Sequence, residues 1–249
     1  MIKDQSLCLE NERIDDLECN GFCIIQDPSF FCFGMDAVLL SDFVTVKNRA
    51  KVVDLCTGNG IIPLLLTAKN KGEHVTGLEI QSHMADMARR SVVLNESEKR
   101  IDIINGDVKN VRNLFKRESV DTVTCNPPYI VDGKGLKNPD EPVNIARHEI
   151  LLSLEDVIEA AAYLLKPMGN FAMVHKPFRL AEIMSLMAKY RLEPKRLRMI
   201  QSDYEAEPSM VLIEASHYGK AHLKVYPALN VYDKERNYTK ELLKIYGKE

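Results

Sequence analysis

Lys51-Val52-Val53-Asp54-Leu55-Cys56-Thr57-Gly58-Asn59-Gly60-Ile61-Ile62-Pro63-Leu64-Leu65-Leu66-Thr67-Ala68 decides the fold class. Its first six residues read as a buried strand carrying an acid near its end. Two glycines then turn the chain, and the apolar stretch beyond them reads as a helix. Pro63 lies in the first helical turn, where its missing N–H leaves no intrahelical bond unmade. The unit is therefore strand, glycine turn, helix.

The unit recurs on the C-terminal side. Residues 74–80 read as a strand ending on an acid, Glu79. Residues 82–94 read as a helix with Met84, Met87, Ala88 and Val92 on one side. Residues 100–105 make a third strand, followed by Gly106-Asp107, and residues 120–125 a fourth. Ser153, with Asp156 three residues on, looks like the capped start of a helix running to about residue 165. Residues 169–175 form a fifth strand and residues 177–190 another helix. Such alternation implies right-handed crossovers and a parallel sheet covered on both faces. Residues 195–201 and 209–216 have no helix between them and should pair antiparallel. The expected fold is α/β and Rossmann-like: a seven-stranded, mostly parallel sheet ending in an antiparallel hairpin, with helices on both faces.

On the N-terminal side, Asn20-Gly21 between two short apolar runs signals a hairpin, and residues 35–43 read as a helix. The aromatic stretch around Phe33 reads as core cover or as a lid over a ligand. The chain is expected to be one domain over residues 1–249: a leader (1–45), a core (46–218) and a C-terminal extension (219–249). The extension is polar, contains Pro227, and carries a helix near residues 237–246.

The 249 residues are 45% hydrophobic and 28% charged, the balance of a globular protein. No apolar run approaches the ~18 residues of a membrane span. The first residues lack an apolar signal core, which argues for a cytoplasmic protein. The six cysteines include no C-x-x-C pair, and no histidines stand at zinc spacing, so they read as thiols in a reducing compartment and no metal is expected. The net charge of −3 excludes a uniformly basic nucleic-acid binder but not a local basic face.

Candidate binding residues gather where strands end, which is where open α/β sheets hold ligands. Gly58, Asn59 and Gly60 allow close backbone approach. Glu79 stands where an acid accepts from ribose hydroxyls, and Asp107, followed by Val108, could hold an adenine amine. The third glycine of a dinucleotide fingerprint is replaced by Pro63. Asp54 would repel a pyrophosphate and suits a cationic ammonium. S-adenosylmethionine fits: it has an ammonium, a sulfonium, a ribose and an adenine, and no phosphate. An ordinary tight turn uses the same residues.

Asn126-Pro127-Pro128-Tyr129 ends the fourth strand. Two prolines stop the ladder, and the residue before a proline is held extended. The Asn126 side-chain oxygen and the Pro127 carbonyl are two acceptors suited to a planar NH2 group, and Tyr129 offers a face for a flat ring. A rigid structural turn is the plain alternative.

Together, Asp54…Gly58-x-Gly60, Glu79, Asp107 and Asn126-Pro127-Pro128-Tyr129 resemble a class I S-adenosylmethionine-dependent methyltransferase of the amino-methylating group. The leader Phe31-Cys32-Phe33-Gly34-Met35-Asp36-Ala37-Val38-Leu39-Leu40 and the loop Ala146-Arg147-His148-Glu149 are similar to bacterial tRNA (adenine-N6) methyltransferases acting beside the anticodon of a valine tRNA. The resemblance implies catalysis at residues 126–129, with S-adenosylmethionine as cofactor and tRNA as partner. It leaves two alternative targets, a glutamine amide of a release factor or guanine N2 of rRNA. One departure is Cys56, where such proteins commonly carry glycine. Arg147, His148, Phe33, Lys176 and Arg179 are candidate substrate contacts. Between residues 166 and 200 eight cations face two acids, which suggests a phosphate-contacting edge. No oligomeric state is implied.

Overall fold

A computed structural model describes residues 4–30, 32–128 and 152–248. An N-terminal hairpin of β1 (Arg13–Cys19) and β2 (Phe22–Gln26) turns at Asn20-Gly21, both with positive φ. Helix α1 (Met35–Phe43) follows. The core then alternates: β3 (Lys51–Leu55), α2 (Ile61–Ala68), β4 (His74–Glu79), α3 (Ser82–Leu94), β5 (Ile101–Asn105), the short α4 (Val111–Leu114) and β6 (Val120–Cys125). Helix α5 (Leu154–Leu164) starts with the expected capping box between Ser153 and Asp156 and runs directly into β7 (Leu165–His175). Helix α6 (Leu180–Lys189), β8 (Leu192–Gln201), β9 (Met210–His217), β10 (Lys224–Asn230) and α7 (Lys240–Ile245) complete the chain.

The sheet order is β10-β8-β9-β7-β6-β3-β4-β5. Strands β3 to β7 pair parallel, and β9 lies antiparallel between β7 and β8. The sheet has eight strands rather than the seven expected. The addition is β10, which pairs parallel with β8 at the sheet edge. Its Pro227 hid it from the sequence reading. Proline is tolerated on an edge strand, and the register slips where it sits, between Tyr226 and Leu229.

Alternating side chains feed two cores. Phe171 and Met173 of β7 join Val53, Leu55, Val211 and Ile213 beneath α5 and α6. Ala172 and Val174 point the other way and join Val52 and Leu212 beneath α1 and α2. The hairpin is tied to α3: Asn95 bonds both the N–H and the carbonyl of Cys23, and the Ile25 N–H donates to Ser91 Oγ (2.9 Å).

Helix α1 is held at its C-terminal end. Lys71 Nζ donates to the carbonyls of Ser41 (2.8 Å), Asp42 (2.7 Å) and Val44 (3.1 Å), groups left open where a helix ends. A cation there also complements the helix dipole. Just beyond, Arg196 donates to the Phe43 carbonyl (2.8 Å), and buried Glu214 accepts the Thr45 N–H (2.7 Å). Burial lowers the Lys71 pKa to about 8. Lys71→Met keeps the aliphatic stem and removes the donor. Chemical denaturation should show a loss of about 1–3 kcal/mol; unchanged stability would contradict this role.

Candidate active site

Leu55 of β3 and Cys125 of β6 are register partners on adjacent parallel strands, so the chain leaves the sheet side by side at both places. One exit is the glycine turn. Cys56, Gly58 and Gly60 have φ of 59°, 58° and 85°. At Cys56 a side chain occupies left-handed space, a cost on the order of 1 kcal/mol that glycine avoids. Gly60 packs so closely on α3 that a Cβ would lie 3.1 Å from that of Ala88.

Two carboxylates shape this turn. Glu79 Oε2 accepts the Gly58 N–H (2.8 Å) and Oε1 the Gln81 N–H (2.9 Å), which fixes the acid at the tip of β4. Asp54 is fully buried. Its oxygens accept the hydroxyls of Thr57 (2.6 Å) and Thr124 (2.7 Å). Asp54 thereby braces the turn from beneath. Burial pushes its pKa up to about 7 against the pull of the two hydroxyls, and Glu79 adds to the rise.

Buried Asn59 faces the leader, with Nδ2 3.4 Å from Gln26 Oε1. That same oxygen accepts the Phe33 N–H (3.1 Å). Phe33 is partly buried against the core beneath α1, so its ring serves at least as core cover. Asp107 caps a short 3-10 helix, Val108–Asn110, through the Lys109 N–H (2.9 Å), and Val108 is buried behind it.

The second exit is Asn126-Pro127-Pro128. Asn126 is half-buried, and its Nδ2 donates to Asp36 Oδ2 of α1 at 3.0 Å. Tyr129, Arg147 and His148 lie outside the described residues. Beside this turn, β7 ends on His175, which is buried and whose Nδ1 accepts the Lys176 N–H (2.8 Å). Burial lowers its pKa to about 4. Lys176, an exposed Phe178 and Arg179 follow; Arg179 pairs with Glu182 at 2.6 Å.

The run of eight cations does not form one edge. Lys166 pairs with Asp121, Lys189 with Glu155, Arg196 with Glu214 and Arg198 with Glu241, besides Arg179 with Glu182. The run also divides between the two faces, because Arg196 lies over Phe43 on the α1 side while Lys189 ends α6 on the other. Gln26, Asp36, Thr57, Thr124 and His175 were not selected from the sequence. Each owes its place to the fold, and only Asp36 and Thr57 lie in stretches that carry the resemblance.

The titration of Asp54 gives a measurable consequence. From about pH 4 to about pH 7 the folded protein keeps a proton that the unfolded chain has released, so stability falls as pH rises through this window. Asp54→Asn removes that dependence. Relative to wild type, the variant's unfolding free energy should rise across the window by up to ~4 kcal/mol. A difference that is flat in pH would refute it.

Residues 24–191 match the family model of the methyltransferase small domain. A tRNA1(Val) (adenine(37)-N6)-methyltransferase of Bacteroides fragilis strain YCH46 is 30% identical over 192 residues, covering 77% of this chain and 80% of that protein. A protein of the same name from Porphyromonas gingivalis strain ATCC 33277 is 31% identical over 199 residues, covering 78% and 77%. A crystal structure from Agrobacterium tumefaciens, described as a predicted O-methyltransferase, shares the fold, with a TM-score of 0.70 and 24% identity over 86% of this chain and 96% of that one. The family match takes in more than half of the sequence and both turns at the sheet edge, and the chain belongs to the methyltransferase small domain family.

Proposed function

We propose that the protein transfers a methyl group from S-adenosylmethionine to the exocyclic N6 of an adenine in tRNA, a cytoplasmic reaction. The observation that carries this reading is the adjacency of the two exits: the glycine turn leaves β3 beside the place where Asn126-Pro127-Pro128 leaves β6. The names of the curated relatives supply the choice of adenine and of tRNA.

The donor side is assigned by chemistry. Gly58 lets the backbone close on the ligand without a Cβ between, and Gly60 lets the turn seat against Ala88 of α3. Glu79 receives ribose hydroxyls, and Asp107 with Val108 borders the adenine. Asn59, tied to Gln26, holds the leader against the turn. Bound S-adenosylmethionine supplies a methyl group already activated by its sulfonium, so no metal is called for.

On the acceptor side, Asn126 Oδ1 and the Pro127 carbonyl accept hydrogen bonds from the two N6–H groups. That draws the nitrogen lone pair out of conjugation and aims it at the methyl. Pro128 stiffens the corner, and Tyr129 stacks on the extruded base, a contact worth about 1–3 kcal/mol. Lys176, Arg179, Arg147 and His148 would meet phosphates around the flipped nucleotide. After transfer the N6 proton passes to water, and most of the rate comes from positioning.

Incubation with methyl-labelled S-adenosylmethionine and total tRNA, followed by nucleoside mass analysis, should give N6-methyladenosine. Asn126→Ala should lower the turnover rate on the order of 10²–10³-fold, with the dissociation constant of the donor nearly unchanged. Another methylated nucleoside, or equal loss of binding and turnover, would contradict the reading.

A further inference from the structure

Asp36 is an acid in the first turn of a helix buried nearly all round: the next four residues, Ala37, Val38, Leu39 and Leu40, are apolar and buried, and Asp36 itself is only 8% exposed. Each carboxylate oxygen has a specific donor. Oδ1 accepts the Ala37 N–H (2.9 Å) in the first turn of α1, where the helix dipole favours negative charge. Oδ2 accepts Asn126 Nδ2 (3.0 Å), across 90 residues of sequence.

Gly34 keeps room for this carboxylate, because a Cβ there would lie 2.9 Å from Asp36 Oδ1. Helix α1 cannot slide away, since Lys71, Arg196 and Glu214 hold its far end.

A primary amide has two orientations of nearly equal shape, related by exchanging its O and NH2. Only one can serve an amine substrate, because NH2 facing NH2 sets donor against donor. A carboxylate accepts and does not donate. It therefore tolerates only the orientation in which Asn126 gives its NH2 to Asp36 and keeps Oδ1 on the other arm of the amide.

We infer that Asp36 is the positioning residue that sets the Asn126 amide in its amine-accepting orientation. The inference rests on the reading of Asn126 as the acceptor of the substrate amine. Asp36 acts through Asn126, and its contribution falls on turnover rather than on donor affinity.

The test compares wild type, Asp36→Ala, Asn126→Asp and the exchanged pair Asp36→Asn with Asn126→Asp. Asp36→Ala should lower turnover on the order of 10²-fold, with donor binding unchanged. Asn126→Asp sets two carboxylates against each other and should also be poor. The exchanged pair restores one NH2 between two acceptors, now donated from position 36, and should recover turnover at least about tenfold over Asn126→Asp alone. A merely structural Asp36 would change turnover only in step with unfolding stability, whereas a positioning Asp36 lowers turnover in variants that remain folded. The exchanged pair also keeps the side-chain volume, so the comparison survives if Asp36→Ala does not fold.

Full activity in Asp36→Ala, or an exchanged pair no better than Asn126→Asp, would overturn the inference. A wild type that methylates no tRNA would instead overturn the functional reading. The amide orientation would then be read without turnover. The side-chain NH2 resonances of Asn126 should shift and lose exchange protection in Asp36→Ala, and unchanged resonances would refute the inference on their own.

Discussion

The buried carboxyl of Asp54 joins what the rest of the site needs joined. One oxygen takes the Thr57 hydroxyl, inside the glycine turn, and the other takes the Thr124 hydroxyl, two residues before Asn126. The strand that leads to the glycine turn and the strand that leads to the Asn126-Pro127-Pro128 turn thus share one fully buried polar group. A polar group enclosed this way costs free energy unless it is hydrogen-bonded, so the two threonines and the acid hold each other in place. Their geometry fixes the separation of the two turns before any ligand arrives.

Three further ties extend that constraint. Glu79 links the tip of β4 to the turn through the Gly58 N–H. Gln26 links the leader to Asn59, and Asp36 links α1 to Asn126. The leader is thereby part of the site's wall. Both of its elements, the hairpin and α1, are anchored elsewhere by strong contacts: the hairpin on α3 through Asn95 and Ser91, and α1 through Lys71, Arg196 and Glu214. Rigid supports on both sides suit a reaction whose rate comes from positioning.

The strand-turn-helix repeat was legible because each part has a local signal: apolar runs, glycines at strand ends, and Pro63 inside a first turn. The hairpin was legible from Asn20-Gly21, and helix α5 from its capping box. Strand β10 was not, because Pro227 interrupts the short apolar run Val225-Tyr226-Pro227-Ala228-Leu229 and removes a ladder donor, and only the edge of β8 makes it a strand. The positions of Asp54, Glu79 and Asn126 at strand ends could be read, but the part Asp54 plays could not. Its partners include Thr124, 70 residues away. The cationic run misled for a related reason. Neighbours in sequence fell on opposite faces of the sheet, and acids from distant elements, Asp121, Glu155, Glu214 and Glu241, neutralised them. Distance along the chain hid the contact between Asp36 and Asn126 in the same way.

A donor on the glycine turn should lie with its sulfur directed at the Asn126 corner. A crystal structure with S-adenosylhomocysteine measures this directly. The ligand should lie over Gly58 and Gly60, with its ribose on Glu79 and its sulfur facing Asn126. A ligand seated away from that turn, or one whose sulfur faces away from Asn126, would contradict this placement.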